Sequence, residues 1–414
     1  MLARLVAILA IALAAPVASL AWNSPGHQCI DVIAWGQLSE ADQERAVALL
    51  ADHPRFAQHF AESVPSDVWR GSEGEKRVWA FAHAGTWPDQ VRSSRGAVSR
   101  EDVSRFNRPT WHYVNLPVFL TPDDREALGK QLPGNRDTEP PADPDASGQN
   151  VVQAIGSALR VLGDDSAPRA DRAVALCWFL HLAADSHQPC HSSALYSAGR
   201  FPEGDKGGNA IPISGPGGNL HAFWDQALLP RRTDFSRVRV RAVQFSQEHA
   251  EAGEAAADEL APKDWLRESW RLAGSAVYTA SVREAVYQAE GAVLLDPVQL
   301  DTAYYKQAGA VSHRRAAEAG YRIAAMLAGR LPDGRAPRPL FTAPAPADEI
   351  VAGPAPARGS PAAASGPFDE AQQTHWLNTK SNKRHNRSCR NFGNTKQGRY
   401  CGPEEGEPCG ICNG

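Results

Sequence analysis

The most constraining feature of this chain is the run at residues 179–191, FLHLAADSHQPCH. His181 and Asp185 stand four residues apart, so on a helix they share one face and lie one turn from each other. Pro189 is expected to end that helix, and His191 follows it closely. Imidazole nitrogen and carboxylate oxygen are both donors that Zn2+ accepts. The same spacing returns in His221-Ala222-Phe223-Trp224-Asp225. A single His-x3-Asp pair is often only a buried ion pair or a cap. Two copies with a third histidine nearby call for a fold that gathers them around metal.

Helices suit that demand, and the hydrophobic pattern supplies them. Apolar residues recur at three- and four-residue spacing over 40–51, 151–162, 169–184, 247–256, 265–290 and 304–328. Strand signals are weak, and Pro, Gly and Asp gather at 121–149 and 202–219. The expected fold class is all-α, mostly helical with long loops and without an internal repeat. The chain has 414 residues, 43% of them hydrophobic, enough for one large core plus appendages.

The ends differ from the middle. Residues 1–21 carry Arg4, an apolar run over 5–17, and Ser19-Leu20-Ala21, which reads as a cleavable signal peptide. The expected destination is secreted or periplasmic. No later segment is apolar for long enough to span a bilayer. Cleavage after Ala21 makes Trp22 the N-terminus. Residues 22–334 read as one domain, 335–370 as a Pro/Ala/Gly-rich linker, and 371–414 as a basic, Cys-rich tail. The net charge of −4 excludes a basic coat over the whole molecule, so any nucleic-acid surface is local.

Seven cysteines follow the same division. Cys29, Cys177 and Cys190 lie in the body, where Cys190 reads either as a small buried hydrophobe or as a disulfide partner of one of the others. Cys389, Cys401, Cys409 and Cys412 crowd the tail and suit either one zinc ion or two disulfides. Lys380, Lys383, Arg384, Arg387, Arg390, Lys396 and Arg399 alternate there with Trp376, Phe392 and Tyr400. Cations for phosphates and rings for bases suit a nucleic-acid strand. A solvated cationic tail, or a cell-surface or sorting module, is the competing reading.

Three more segments carry candidate ligands. Asp89 ends Trp87-Pro88-Asp89, and His112 lies in Trp111-His112-Tyr113-Val114-Asn115. A free α-amino group at Trp22 can chelate a metal together with its own carbonyl oxygen, because a metal displaces its proton at modest cost. His27 is close enough to join it.

Taken in order, Trp22, His27, WPD, WHYVN, HLAADSHQPCH and NLHAFWD resemble the S1/P1 family of zinc-dependent, single-strand-specific nucleases over roughly residues 22–330. The resemblance implies a mostly helical nuclease domain, of a type shared with zinc-dependent phospholipases C, holding three zinc ions. By motif, Asp89, His112, His181 and Asp185 would hold one zinc. Trp22, His27 and Asp185 would hold a second, with Asp185 bridging, and His191, His221 and Asp225 a third. A bridged zinc pair sits about 3.5–4 Å apart and lowers the pKa of water toward ~7. Asp89 and Asp185 would then be catalytic, with Arg92 on phosphate. Tyr113, Asn115 and Asn209 would meet the substrate, although Asn115 stands where some relatives carry Asp. The implied activity is endonucleolytic cleavage of single-stranded DNA and RNA to 5′-phosphates, with 3′-nucleotidase activity, by a monomer. The alternatives are a phospholipase C-like phosphodiesterase and a non-enzymatic secreted zinc-binding protein. The short gap between Trp22 and His27, and Asp rather than Glu at 225, favour the nuclease.

Overall fold

A computed structural model of the chain describes residues 22–341 and, in the tail, 375–386, 389, 391–392, 397–401 and 405–409. The leader expected at 1–21, the linker from 342 onward, and Arg387, Arg390, Lys396 and Cys412 lie outside the described residues. The chain divides into a body and a tail unit at residues 343/344.

The body is helical. Five of the six expected stretches form helices near their expected bounds, at Glu40–Leu50, Val151–Gly163, Arg169–Asp185, Ala250–Ala257 and Thr302–Leu327. The sixth, expected as one helix over 265–290, is divided. Pro262–Leu272 passes into a π turn at Ala273–Val277, and a new helix starts at Ala280. The break lets Tyr278 turn fully inward, where its hydroxyl donates to Asp205 Oδ1 at 3.1 Å.

Four helices of eight residues or more carried no clear periodic signal: Ser24–Gln37, Glu73–Ala84, Leu220–Ala227 and Phe235–Glu248. Ser24–Gln37 shows why. Residues from Pro25 to Ala34 are buried almost without interruption, so it lacks the polar face that makes a helix legible. It is instead specified at its start, where the Asn23 side chain accepts from Gly26 N at 3.0 Å and Pro25 occupies the first turn. It packs on Thr302–Leu327 so tightly that a Cβ at Gly320 would stand 2.5 Å from Ile33 Cγ2. Arg169–Asp185 runs through the interior, every residue from Ala175 to Asp185 being buried.

Two hydrophobic clusters share the body. The larger takes in Ile30, Leu49, Phe81, Phe179 and Ile323; the smaller takes in Leu195, Trp224, Val277 and Tyr304. Leu116–Phe119 pairs in parallel with Ser193–Tyr196, Leu116 standing opposite Ser193. These four-residue strands follow the WHYVN and HQPCH motifs. Val114 N donates to His191 O at 2.8 Å, which extends the clamp to the two motifs themselves.

The boundary expected at 334 moves. Ala336, Leu340 and Phe341 are buried in the larger cluster, Phe341 against Phe56 and Trp79 at 5.5 and 5.8 Å. Packing of the body therefore continues to Phe341. Cys29, Cys177 and Cys190 are buried free thiols. Cys190 sits in the smaller cluster and the other two in the larger, so the disulfide reading of Cys190 gives way to the buried hydrophobe.

The tail is a four-stranded sheet in the order 398–401, 375–378, 383–386, 407–408. The first three strands are antiparallel, and Glu407–Pro408 adds in parallel.

Candidate metal centre

Asp185 is the last residue of its helix and has no exposed surface. Its Oδ2 lies 3.1 Å from His181 Nε2 and 3.3 Å from His112 Nδ1, while Oδ1 lies 3.3 Å from His27 Nε2. The two oxygens thus face different histidines. Asp89 Oδ1 approaches His181 Nε2 and His112 Nδ1 at 3.8 and 3.9 Å. Beside them, His221 Nε2 lies 3.1 Å from His191 Nε2 and 3.4 Å from Asp225 Oδ1. Three groups therefore present convergent ligand atoms: His27, His181 and Asp185; Asp89, His112 and His181; His191, His221 and Asp225.

These atoms fit metal ions. His112 Nδ1 and His181 Nε2 stand 2.8 Å apart. Both nitrogens of His27, and Asp185 Oδ1, are buried without a hydrogen bond. A buried polar atom left so is costly, and coordination supplies the missing partner.

The rings are aimed from behind. His181, His191 and His221 each direct Nδ1 at a backbone carbonyl, of Gly85 at 2.7 Å, His112 at 2.6 Å and Gly207 at 2.7 Å, which turns Nε2 toward the cluster. Glycine is required at two of the three carbonyl sites. A Cβ at Gly207, whose φ is +64°, would lie 2.4 Å from Cys190 O, and one at Gly85 would lie 2.0 Å from Asp31 Oδ2. The glycine-rich loop at 204–209 is thus a holder for His221.

Burial keeps most of these imidazoles neutral, the form that ligates. It pushes His27, His112 and His191 far below the usual histidine range, with neighbouring positive charge adding to the effect, and lowers His221 to about 4. His181 goes the other way. Burial opposes its charge, but the carboxylates of Asp185 and Asp89 raise it to about 9. Burial raises Asp185 to about 7, against the pull of His181.

Trp22 is fully buried at the margin of this cluster. Its indole donates to Ala184 O at 3.1 Å, and the next residue, Asn23, donates its backbone N–H to Asp225 O at 3.0 Å. Arg92 donates to Asp89 Oδ1 at 3.2 Å. Tyr113 is 40% exposed. It lines a cavity of about 160 Å³ with Asn115, Asn135, Arg136 and Gln149. Asn209 is not among the residues lining that cavity; its amide donates to Lys206 O at 2.9 Å within the His221 loop.

Several contributors escaped sequence reasoning. Gln188 is fully buried and donates to Asp225 Oδ1 at 2.8 Å, fixing a carboxylate oxygen. Asp31, one turn beyond His27, is buried with neither oxygen hydrogen-bonded, and burial raises it well above the carboxylate range. His59, on its sequence an ordinary helix or surface histidine, is buried and accepts from the indole of Trp87 at 2.9 Å, steadying the WPD turn. His187 faces away from the cluster, tied to Ala183 O at 2.7 Å and Arg322 Nη1 at 3.0 Å.

The sequence profile of the S1/P1 nuclease family matches residues 22–331. This chain belongs to that family. Nuclease S1 of Aspergillus oryzae is 21% identical to it over 341 residues, which is 78% of this chain and 96% of that protein. The S1/P1 chain described here is accordingly a zinc-dependent nuclease with an all-α catalytic body and nucleic acid as its substrate class. Among the described residues, no helix is long and apolar enough to cross a membrane.

Proposed function

We propose that this nuclease is exported, loses residues 1–21, and cuts single-stranded DNA and RNA endonucleolytically to 5′-phosphate products, with 3′-nucleotidase activity. Three zinc ions in the body would be held by the sets carried over from the family: Asp89, His112, His181 and Asp185; Trp22, His27 and Asp185; His191, His221 and Asp225. The observation that carries this reading is the divided orientation of Asp185, one oxygen toward His27 and the other toward His112 and His181.

Bound zinc supplies Lewis acidity and an activated water at neutral pH. The protein supplies placement. Asp185 and the carbonyl-locked histidines fix the ligand atoms before substrate arrives. Asp89 holds Arg92 beside the cluster, where a guanidinium matches phosphate geometry. The exposed ring of Tyr113 offers a stacking platform that tolerates any base. Asn115, in the same cavity as Tyr113, would offer its amide to the bases, and Asn209 would do so only from the separate His221 loop, where its amide already donates to Lys206 O.

The purified mature protein is incubated with single-stranded DNA, single-stranded RNA, duplex DNA, a 3′-mononucleotide and phosphatidylcholine. Cleavage of both single strands ahead of duplex, with 5′-phosphate ends, is expected. Turnover of phosphatidylcholine alone would overturn the proposal in favour of a phospholipase. Elemental analysis of the body is expected to give close to three zinc ions per chain, and one or none with activity intact would refute the trinuclear assignment.

A further inference from the structure

The tail contains a second cluster of metal-ligating residue types. His385, Cys389 and Cys409 are 3%, 7% and 6% exposed, and one ligand atom from each lies within 4.8 Å of the other two. Cys389 Sγ stands 3.3 Å from His385 Nδ1. Each residue is placed by different backbone. His385 is in the strand Lys383–Asn386, Cys389 N donates to Asn386 O at 3.0 Å just beyond it, and Cys409 N donates to Arg384 O at 2.9 Å after Glu407–Pro408.

Cys401 is not part of this cluster. It ends the strand Gly398–Cys401, which is separated from Lys383–Asn386 by His375–Asn378. Two strand spacings put its backbone about 10 Å away. Cys401 and Asn386 both stand opposite His375, so Cys401 shares a face with Asn386, whereas His385 points to the other face.

We propose that His385, Cys389 and Cys409 form a thiolate–imidazole zinc site that staples the tail sheet, and that Cys401 is not a ligand. Two thiolates and a neutral imidazole are a zinc donor set. The need for a staple is physical: among the tail residues whose side chains are described, the only buried hydrophobic ones are Leu377 and the cysteines themselves. So small a core does not hold a sheet. Tetrahedral zinc takes a fourth ligand. The three described residues leave one coordination position open. This site stands independently of the substrate reading of the body.

The test uses the full-length mature protein reloaded with Co2+ alone. Cobalt–thiolate charge transfer absorbs strongly in the near ultraviolet, and none of the body's three ligand groups contains cysteine. The band therefore reports the tail. It is expected in the parent protein, lost in Cys389→Ser and Cys409→Ser, weakened in His385→Ala and intact in Cys401→Ser. His385→Cys should keep the metal and strengthen the band, which a merely structural histidine would not do. Single-strand cleavage measured on each zinc-loaded variant checks that the body is folded. No band in the parent protein, loss of the band in Cys401→Ser, no change in His385→Ala, or a Cys389–Cys409 disulfide in the non-reduced mass spectrum would each overturn the proposal.

Discussion

The body and the tail both gather metal-ligating residues, by opposite means. In the body the ligand types span residues 27–225 and sit on helices and loops held by two hydrophobic clusters. In the tail they fall within residues 385–409, on short strands with Leu377 as the one large buried aliphatic among the described residues. A large core can hold a metal site open without its metal; a small one borrows stability from the metal itself. Chelation should expose that difference and gives the largest effect expected here. Stripping zinc with a strong chelator should abolish cleavage while the body keeps its helical circular dichroism. Amides of residues 375–386 should lose their protection from hydrogen exchange. Equal loss of protection in body and tail would erase the contrast.

Next in size are changes to the body ligands. Asp185→Asn should cost more than the ~10–100-fold that loss of an outer hydrogen-bond partner typically costs, and should release zinc. Asp225→Asn should cost less, because Asp225 belongs to one of the proposed zinc sets and Asp185 to two. Gln188→Ala should fall within the ~10–100-fold range, since Gln188 acts only through Asp225. Rate and zinc content are read together. Equal modest losses for Asp185→Asn and Asp225→Asn, with zinc retained, would remove the bridging role. A residue left in front of Trp22 should also lower zinc content and rate, and full values in such a protein would dismiss the N-terminal chelate.

What the sequence shows follows from this geometry. His181 and Asp185 were legible because chemistry fixes both residue type and helical spacing. Gly85, Gly207 and Gln188 were not, because they act through a carbonyl or an amide aimed at a ligand, and nothing in local sequence reports an aim. Ser24–Gln37 was missed because burial on all sides erases amphipathicity. The split of 265–290 escaped because it depends on Tyr278 reaching Asp205, 73 residues away in sequence. In the tail, cysteine counting suggested four thiols. Sheet order sets Cys401 apart and brings in His385, a pairing that spacing does not encode.

A smaller effect comes from pH. In metal-free protein His27, His112, His191 and His221 are held neutral, whereas unfolded histidine titrates near 6.5. Below that value the unfolded chain takes up protons that the folded chain refuses. The stability these groups give is therefore present above pH 6.5 and lost as pH falls toward their folded values, by up to about 1.4 kcal/mol per pH unit for each. His181 has the opposite sign. Its contribution is full below 6.5 and is lost as pH rises through about 9. Asp31, Asp185 and Asp205, raised by burial, work against this, but buried His53, His83 and His187 are lowered as well. The histidines therefore prevail, and the melting temperature of metal-stripped protein should drop between pH 6.5 and 5. A rise on acidification would show that these rings are not held neutral.

The smallest expected effect is removal of the tail. All the body's candidate ligands precede residue 226, so a protein ending after Phe341 should turn over a 3′-mononucleotide at the full rate. If the tail touches a strand, its loss should weaken binding to long single strands by raising the dissociation constant at low salt. Several of its cations are already engaged: Lys383 pairs with Glu407 at 2.6 Å, Arg399 with Glu405, and Arg384 donates to the carbonyls of Glu405 and Gly406 at 3.3 Å. That internal pairing limits how many phosphates they can neutralise, so the loss should stay below about tenfold, with the salt slope falling by roughly 0.7 for each contact removed. Affinity is measured with a long oligonucleotide across a salt series, on zinc-loaded protein with and without residues 342–414. An unchanged slope and unchanged affinity would mean that the tail is no nucleic-acid tether, and would leave surface attachment or sorting as its role.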